Sequence, residues 1–265
     1  MSPPQDVGDQ ALLGQAGAGD AYVFDDSKLK AYWKFDQGSG TVYYVSEGTE
    51  DLGSDADITM NGGTYSVATD MGDLGTGVTF DGSTDSGYCG SNLSQWNYIS
   101  NTSGLASFFF WAKFLSAPSE ETFIGTVYTE GTQIGLLIRI HSTMKMLWHI
   151  SRGTDSTRTI SVSSGNNYIP DTTNWHSYCY TYDYTGSPAL HLKRDNANEI
   201  TGNLAGGTNT PSDSNNTYPM QFARRDASPE FNAHYSACEW SMWHEVIDSD
   251  TQDALYNDGA GREIY

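Results

Sequence analysis

Basic residues are scarce in this chain of 265: 13 Lys and Arg stand against 33 Asp and Glu, a formal net charge of −20. A phosphate backbone is held by clustered Lys and Arg. The tightest basic groups are only Lys193-Arg194 and Arg224-Arg225, so nucleic acid and anionic membrane are excluded as expected partners. Cysteine is also rare. Cys89, Cys179 and Cys238 cannot all pair with one another, and no two have zinc-site spacing. Cys179 falls mid-strand, where a buried free thiol is the ordinary state; a Cys89–Cys238 bond is allowed by the sequence but not required. Long hydrophobic runs are missing, so no stretch reads as a bilayer span. The first twenty residues, "MSPPQDVGDQALLGQAGAGD", have neither a basic n-region nor an apolar h-region. The expectation is a protein that acts extracellularly or in a virion. It reaches that place after loss of a signal peptide or by another route, such as inside a virus particle.

Aromatics, at 13% of the chain, are plentiful, which argues against disorder. Asp outnumbers Glu by 23 to 10; Asp favours turns and Glu favours helices. Residues 1–27 are Gly-, Ala- and Asp-rich and read as an arm or linker. From residue 28 onward the pattern is short strands separated by polar turns: "LKAYWKF", "GVTFDG", "SFFFWAKF", "TFIGTVY", "IGLLIRIH", "MKMLWHIS", "STRTISVS", "WHSYCYTYD", "ALHLKRD", "YPMQFAR" and "HYSACEWSMWHEV". Such spacing predicts an all-β, two-sheet antiparallel sandwich over 28–265 and no βαβ units. One short C-terminal helix is expected from Ser249, with Gln252 three residues on as a capping box and Gly259 beyond the end.

In "NWHSYCYTYDYTGSP" tyrosines recur at every second position. Alternate strand residues share a face, so Tyr178, Tyr180 and Tyr182 are expected to point together into the space between two sheets. Gly186-Ser187-Pro188 reads as a hairpin turn.

Two kinds of site suggest themselves from the residues. Lectin-like sites pair an aromatic face with Asp, Asn and backbone groups on loops; Trp96 and Tyr98 in the polar segment "LSQWNYIS", Tyr128 in "TVYTEGT", and Trp148 are the ligand-binding candidates. Asp36 in "FDQGSG" and Asp81 and Asp85 in "FDGSTD" put short carboxylates beside glycine turns, an arrangement that suits Ca²⁺ and equally suits plain turn acids. Spacings for hydrolytic or lyase chemistry are missing. Glu239 and Glu245 are too far apart along a strand for a concanavalin A-like glycosidase motif, and the six histidines are scattered.

Five segments also follow, in order, the blocks of a known family. "LKAYWKFDQGSGTVYYVSEG", "GVTFDGSTDSGYCG", "ASFFFWAKF", "NWHSYCYTYDYTGSPALHL" and "FNAHYSACEWSMWHEVIDSDTQDALYNDGAG" resemble LamG-like (laminin G/concanavalin A-like) domains over about residues 29–261. The resemblance implies a jelly-roll sandwich, with Trp111, Trp175 and Trp240 in its core. It also implies a structural Ca²⁺ between the end of the first strand, the F-D-G segment and the last strand. Glu239 stands at the position of an aspartate in that last block and would be the fourth ligand beside Asp36, Asp81 and Asp85.

The function expected is a non-catalytic recognition or adhesion module for glycans or cell-surface polysaccharide. A phage tail-fibre or capsid-decoration protein, docked through residues 1–27 to other virion proteins, is one such setting. The alternatives are a purely structural virion protein and a secreted polysaccharide hydrolase or lyase.

Overall fold

The computed structural model describes residues 22–42, 52–72, 74–101, 104–117, 120–126, 133–152, 159–184, 189–202, 214–216, 218–224 and 233–264. The strands are β1 (Leu29–Trp33), β2 (Thr59–Asn61), β3 (Thr64–Ala68), β4 (Thr76–Asp81), β5 (Ser86–Tyr88), β6 (Leu105–Phe114), β7 (Glu120–Gly125) and β8 (Gly135–His141), then β9 (Lys145–Ser151), β10 (Thr159–Ser163), β11 (His176–Asp183), β12 (Ala189–Arg194), β13 (Ile200–Gly202), β14 (Gln221–Phe222) and β15 (His234–Trp243). One helix, α1 (Ser249–Tyr256), follows.

Strands assemble into two antiparallel sheets, the jelly-roll sandwich expected from the strand pattern. The larger runs β13-β12-β11-β6-β15-β4-β3, and the smaller runs β10-β9-β8-β7-β14-β5-β2. β15 changes neighbour along its length. Its first half, His234–Ala237, pairs β4, and its end, Trp240–Trp243, pairs β1. Between the two, its register with β6 shifts, and Glu239 takes a left-handed φ of 51°, the signature of a bulge.

The tyrosine alternation resolves as an interior. Tyr178, Tyr180 and Tyr182 are all fully buried. Phe110 stacks on Tyr178 and Tyr180 at 5.4 and 5.8 Å, and the Tyr180 hydroxyl donates to Met146 Sδ at 3.1 Å. Burial of each such ring contributes on the order of 2–3 kcal/mol. Trp240 sits at the centre of the inter-sheet layer, 2% exposed.

The outer face of the larger sheet carries a second apolar cluster: Leu29, Tyr32, Leu74, Phe109, Trp111, Cys179, Cys238, Trp243, Ile247 and Leu255, with Phe24, Trp175, Tyr256 and Ile264 against it. α1 and the C-terminal residues cap it, and Tyr256 stacks on Trp111 at 5.9 Å. The helix begins one residue earlier than its capping-box signal implies. Asp248 is the N-cap, its carboxylate accepting from Thr251 N at 2.8 Å, while Gln252 turns inward to donate to the Ile247 carbonyl at 3.0 Å.

Cys89 lies in the inter-sheet core and Cys238 in the outer cluster, on opposite sides of the larger sheet. All three cysteines are free, so the Cys89–Cys238 bond does not form. Of residues 1–27, those from 22 on are described and lie against the domain. Tyr22 Oη and Thr251 Oγ1 are 2.7 Å apart, and Phe24 packs on the outer cluster. Deleting residues 1–21 is expected to leave the urea midpoint unchanged, whereas deleting 1–27 removes the Phe24 contact and costs about 1–2 kcal/mol.

Candidate carbohydrate-binding surface

The sequence candidates fall in three places. Trp96 is not in an open loop: "LSQWNYI" folds as a 3-10 helix, Leu93–Ile99, with Trp96, Tyr98 and Ile99 turned inward. Trp96 is 0% exposed and lies beside Trp33 at 6.5 Å. Tyr98 is buried against the His244 ring at 5.2 Å. Trp148 on β9 faces the interior, edge-on to Phe108 and Tyr180. Apolar burial outweighed the polar residues around these rings, so none of the three presents a face to a ligand. Tyr128 lies outside the described residues.

The four carboxylates proposed for Ca²⁺ fall in two separate places, Asp81 with Asp85 in one turn and Asp36 near Glu239. Asp81 is an exposed turn acid. Its oxygens accept from Ser83 N, Thr84 N and Asp85 N at 2.8–2.9 Å and from the Ser83 and Thr84 hydroxyls at 2.6 and 3.2 Å. Desolvation, the largest single cause, pushes its pKa up, but these donors together outweigh it and hold the carboxyl well below the usual range. Asp85 Oδ2 accepts from Asp81 N at 3.0 Å. This is a turn stabilised by hydrogen bonds, its carboxylates already turned toward N–H and O–H donors. Asp81 lies opposite His234, so Glu239, five residues further along β15, is about 16 Å away. Asp36 is exposed beyond β1, and Glu239 is 4% exposed and accepts from the Tyr32 hydroxyl. Among the described residues no group of three or more His, Cys, Asp or Glu side chains could hold a metal. The four residues therefore do not fit the ion, and EGTA is expected to leave the melting midpoint unchanged.

An open groove of about 480 Å³ lies where the β12–β13 turn faces the corner between β15 and α1. Strand alternation builds its floor. Leu190 and Leu192 point into the core, and His191 and Lys193 therefore point out, above Thr181, the residue opposite His191. The turn contributes Asn196, Asn198 and Glu199, and the corner contributes Val246, Ile247 and Ser249. Ion pairs set these groups. Lys193 Nζ is 2.9 Å from Asp253 Oδ1, and His191 Nδ1 is 2.5 Å from Glu199 Oε1. Val246, 39% exposed, is one of few large apolar side chains left open. The groove thus offers amide and ammonium donors, a carboxylate acceptor and an apolar patch. Hydroxyl-rich ligands need that combination, because each hydroxyl both donates and accepts while C–H faces seek apolar contact. Sequence reasoning missed the groove: its residues come from one turn and one corner distant in sequence, and it contains no aromatic side chain to announce it.

The architecture that carries this groove is an antiparallel β-sandwich whose structural neighbours are binding domains. They include the receptor-binding domain of botulinum neurotoxin D (TM-score 0.61, 11% identity, 88% of this chain and 53% of that one) and the binding domain of botulinum neurotoxin DC in complex with rat synaptotagmin II (TM-score 0.57, 13% identity, 88% and 52%). A third is a botulinum neurotoxin type C structure described by the dependence of cell entry on two ganglioside molecules (TM-score 0.56, 13% identity, 88% and 51%). At these identities the likeness establishes the fold alone, and the chain spans about half the length of each. No protein-family model matches the sequence, and no curated protein does.

Proposed function

We propose that the chain is a non-catalytic, extracellular recognition module that binds glycans through the groove between the β12–β13 turn and the β15–α1 corner. The observation that carries the reading is the groove's composition: fixed donors and acceptors around an open apolar side chain, on a sandwich whose neighbours are receptor-binding domains. Glycoside hydrolysis by the common mechanism uses two carboxyl groups flanking the scissile bond, and the groove has one lining carboxylate, Glu199, held by His191. That favours binding over cleavage. The LamG-like resemblance supports the same reading through its five ordered blocks and the sandwich they anticipated.

A glycan array is the direct test. The wild type is expected to bind a defined set of glycans, and Asn198→Ala and Val246→Glu are each expected to weaken that binding about tenfold, roughly 1.4 kcal/mol, with unchanged melting midpoints. A blank array, or binding indifferent to both substitutions, would overturn the reading. The finer setting we propose is a phage virion accessory, on the Gly- and Ala-rich composition of its first residues. Deleting residues 1–21 should then abolish particle incorporation while the sandwich stays folded; normal incorporation would remove that setting.

A further inference from the structure

A second, smaller recess of about 210 Å³ opens on the same outer face. It borders the outer apolar cluster at Met71 and Trp175. Three segments build it. The β3–β4 connection brings Asp70 and Met71, the central strand β6 brings Lys113, and the approach to β11 brings Thr173, Asn174 and Trp175. Each is held in place. The Thr69 hydroxyl donates to the Leu74 and Gly75 carbonyls at 2.8 and 3.1 Å, which fixes the connection. Asp171 accepts from Thr173 N and Asn174 N, both at 2.8 Å, and from Asn174 Nδ2 at 3.1 Å, which fixes the approach. Gly77 lets the indole come down: a Cβ there would lie 2.5 Å from the Ala237 carbonyl oxygen and 3.3 Å from the Trp175 ring.

Polar groups in this recess are left without protein partners. Trp175 Nε1 is buried and has no acceptor. No carboxylate among the described residues lies within ion-pair range of Lys113, although Asp70 lines the same recess and the chain carries 33 acids. Asp70 adds an exposed acceptor at the rim. The recess therefore presents an ammonium and a carboxylate, with a formal charge near zero, beside a partly exposed aromatic ring. Its volume is below the ~300–1,000 Å³ of drug-sized sites, which limits the occupant to a single ring.

We propose that this recess is a subsite for one neutral pyranose residue, with Asp70 accepting from sugar hydroxyls, Lys113 donating to sugar oxygens, and the exposed part of the Trp175 ring contacting the C–H face. The balanced charge and the chain's excess of acid select a neutral sugar over a uronate. The inference rests on the glycan-binding reading above but uses different residues, so the two can fail separately.

The experiment is a tryptophan fluorescence titration of the full chain with the methyl glycosides of glucose, galactose and mannose, and with glucuronate. The seven tryptophans include several sealed in the core, so a saturable change reports Trp175. Expected is a saturable change with at least one neutral glycoside, with a Kd on the order of 1–10 mM, and weaker binding of glucuronate. Lys113→Gln and Asp70→Asn should each weaken the neutral glycoside about tenfold, and Trp175→Phe should abolish the signal. Lys113 and Asp70 are on the surface side of the sheet, so their variants keep the test intact if Trp175→Phe fails to fold. No saturable change with any neutral glycoside, tighter binding of glucuronate, or indifference to Lys113→Gln would each overturn the proposal. Val246→Glu, which disables the groove, should leave this titration unchanged. A positive titration beside a blank array would sink the groove and keep the recess, and the reverse would do the opposite.

Discussion

Trp240→Ala is expected to lower the unfolding free energy by about 3–5 kcal/mol, the range for truncating a large buried aromatic. The position is chosen by its contacts. The indole touches both sheets: Phe110 at 4.9 Å and Tyr235 at 6.1 Å on the larger, Phe123 at 4.9 Å and Phe222 at 5.3 Å on the smaller, with Phe35 at 5.6 Å closing one side. Its N–H donates to the Trp111 carbonyl at 3.1 Å. Alanine would leave a cavity ringed by five aromatic side chains that cannot all move inward, because four of them are held by strands β6, β7, β14 and β15. Trp240→Phe keeps most of the volume and should cost less than half as much. Urea denaturation with matched m-values checks both. A loss under 1 kcal/mol for the alanine variant would mean that the two sheets are not packed through this ring.

Glu239, taken alone, should also make stability fall as pH rises from about 4.5 to about 8. Burial is the main cause that raises its pKa to about 8; the hydrogen bond from Tyr32 acts the other way, and the nearby Glu263 and Asp36 add to the rise while Lys34 opposes it. In the unfolded chain the same carboxyl titrates near its ordinary 4.5. Between these values the folded state holds a proton that the unfolded state has released, so stability declines with pH across that window and is level above it. At 1.36 kcal/mol per pKa unit the full effect is on the order of 3–5 kcal/mol. Glu239→Gln keeps an acceptor for Tyr32 and removes the titration, so its stability should lose most of the decline above pH 6.5 and should exceed the wild type at the upper end. His149 bends the profile the other way at low pH. Burial, with Arg139 nearby, pushes it down to about 4. The unfolded state therefore takes up a proton below about 6.5 that the folded state refuses, so this contribution falls toward pH 4, offsets that of Glu239 between about 4.5 and 6.5, and leaves the net decline above about 6.5. Denaturation midpoints at intervals from pH 4 to 9 test both limbs. A wild-type profile that rises between pH 5 and 8.5 would exclude a protonated Glu239 in the fold.

The sandwich was legible because its central strands announce themselves. β6, β11 and β15 are dense in aromatic side chains, and the tyrosine alternation in β11 gave both the strand and the face. The strands that escaped notice, β2, β3, β5 and β13, are short and polar or glycine-containing, and β3 alternates only between exposed and partly buried residues. Such edges are held by their neighbours' hydrogen bonds and leave little hydrophobic signature. The candidate site was barely legible. Trp96 sits among Asn, Ser and Gln, and local polarity says nothing of a ring that turns inward from a 3-10 helix. Trp175 was expected in the core by resemblance and instead borders a recess, because its neighbours Asp70 and Lys113 come from remote strands. Recognition surfaces of this kind are made by tertiary juxtaposition, which a linear pattern does not encode.

The pairing of β1 with the end of β15 has a consequence for biogenesis. Trp33 finds its partner in Trp240, roughly 200 residues later in synthesis. At about 5–20 residues per second, the first strand waits some 10–40 s on the ribosome before its neighbour has even been made. A nascent chain of this topology cannot lock its larger sheet before β15 has been made, so closure is a late, non-local and slow event, and the aromatic "LKAYW" segment is the part most in need of chaperone cover until then.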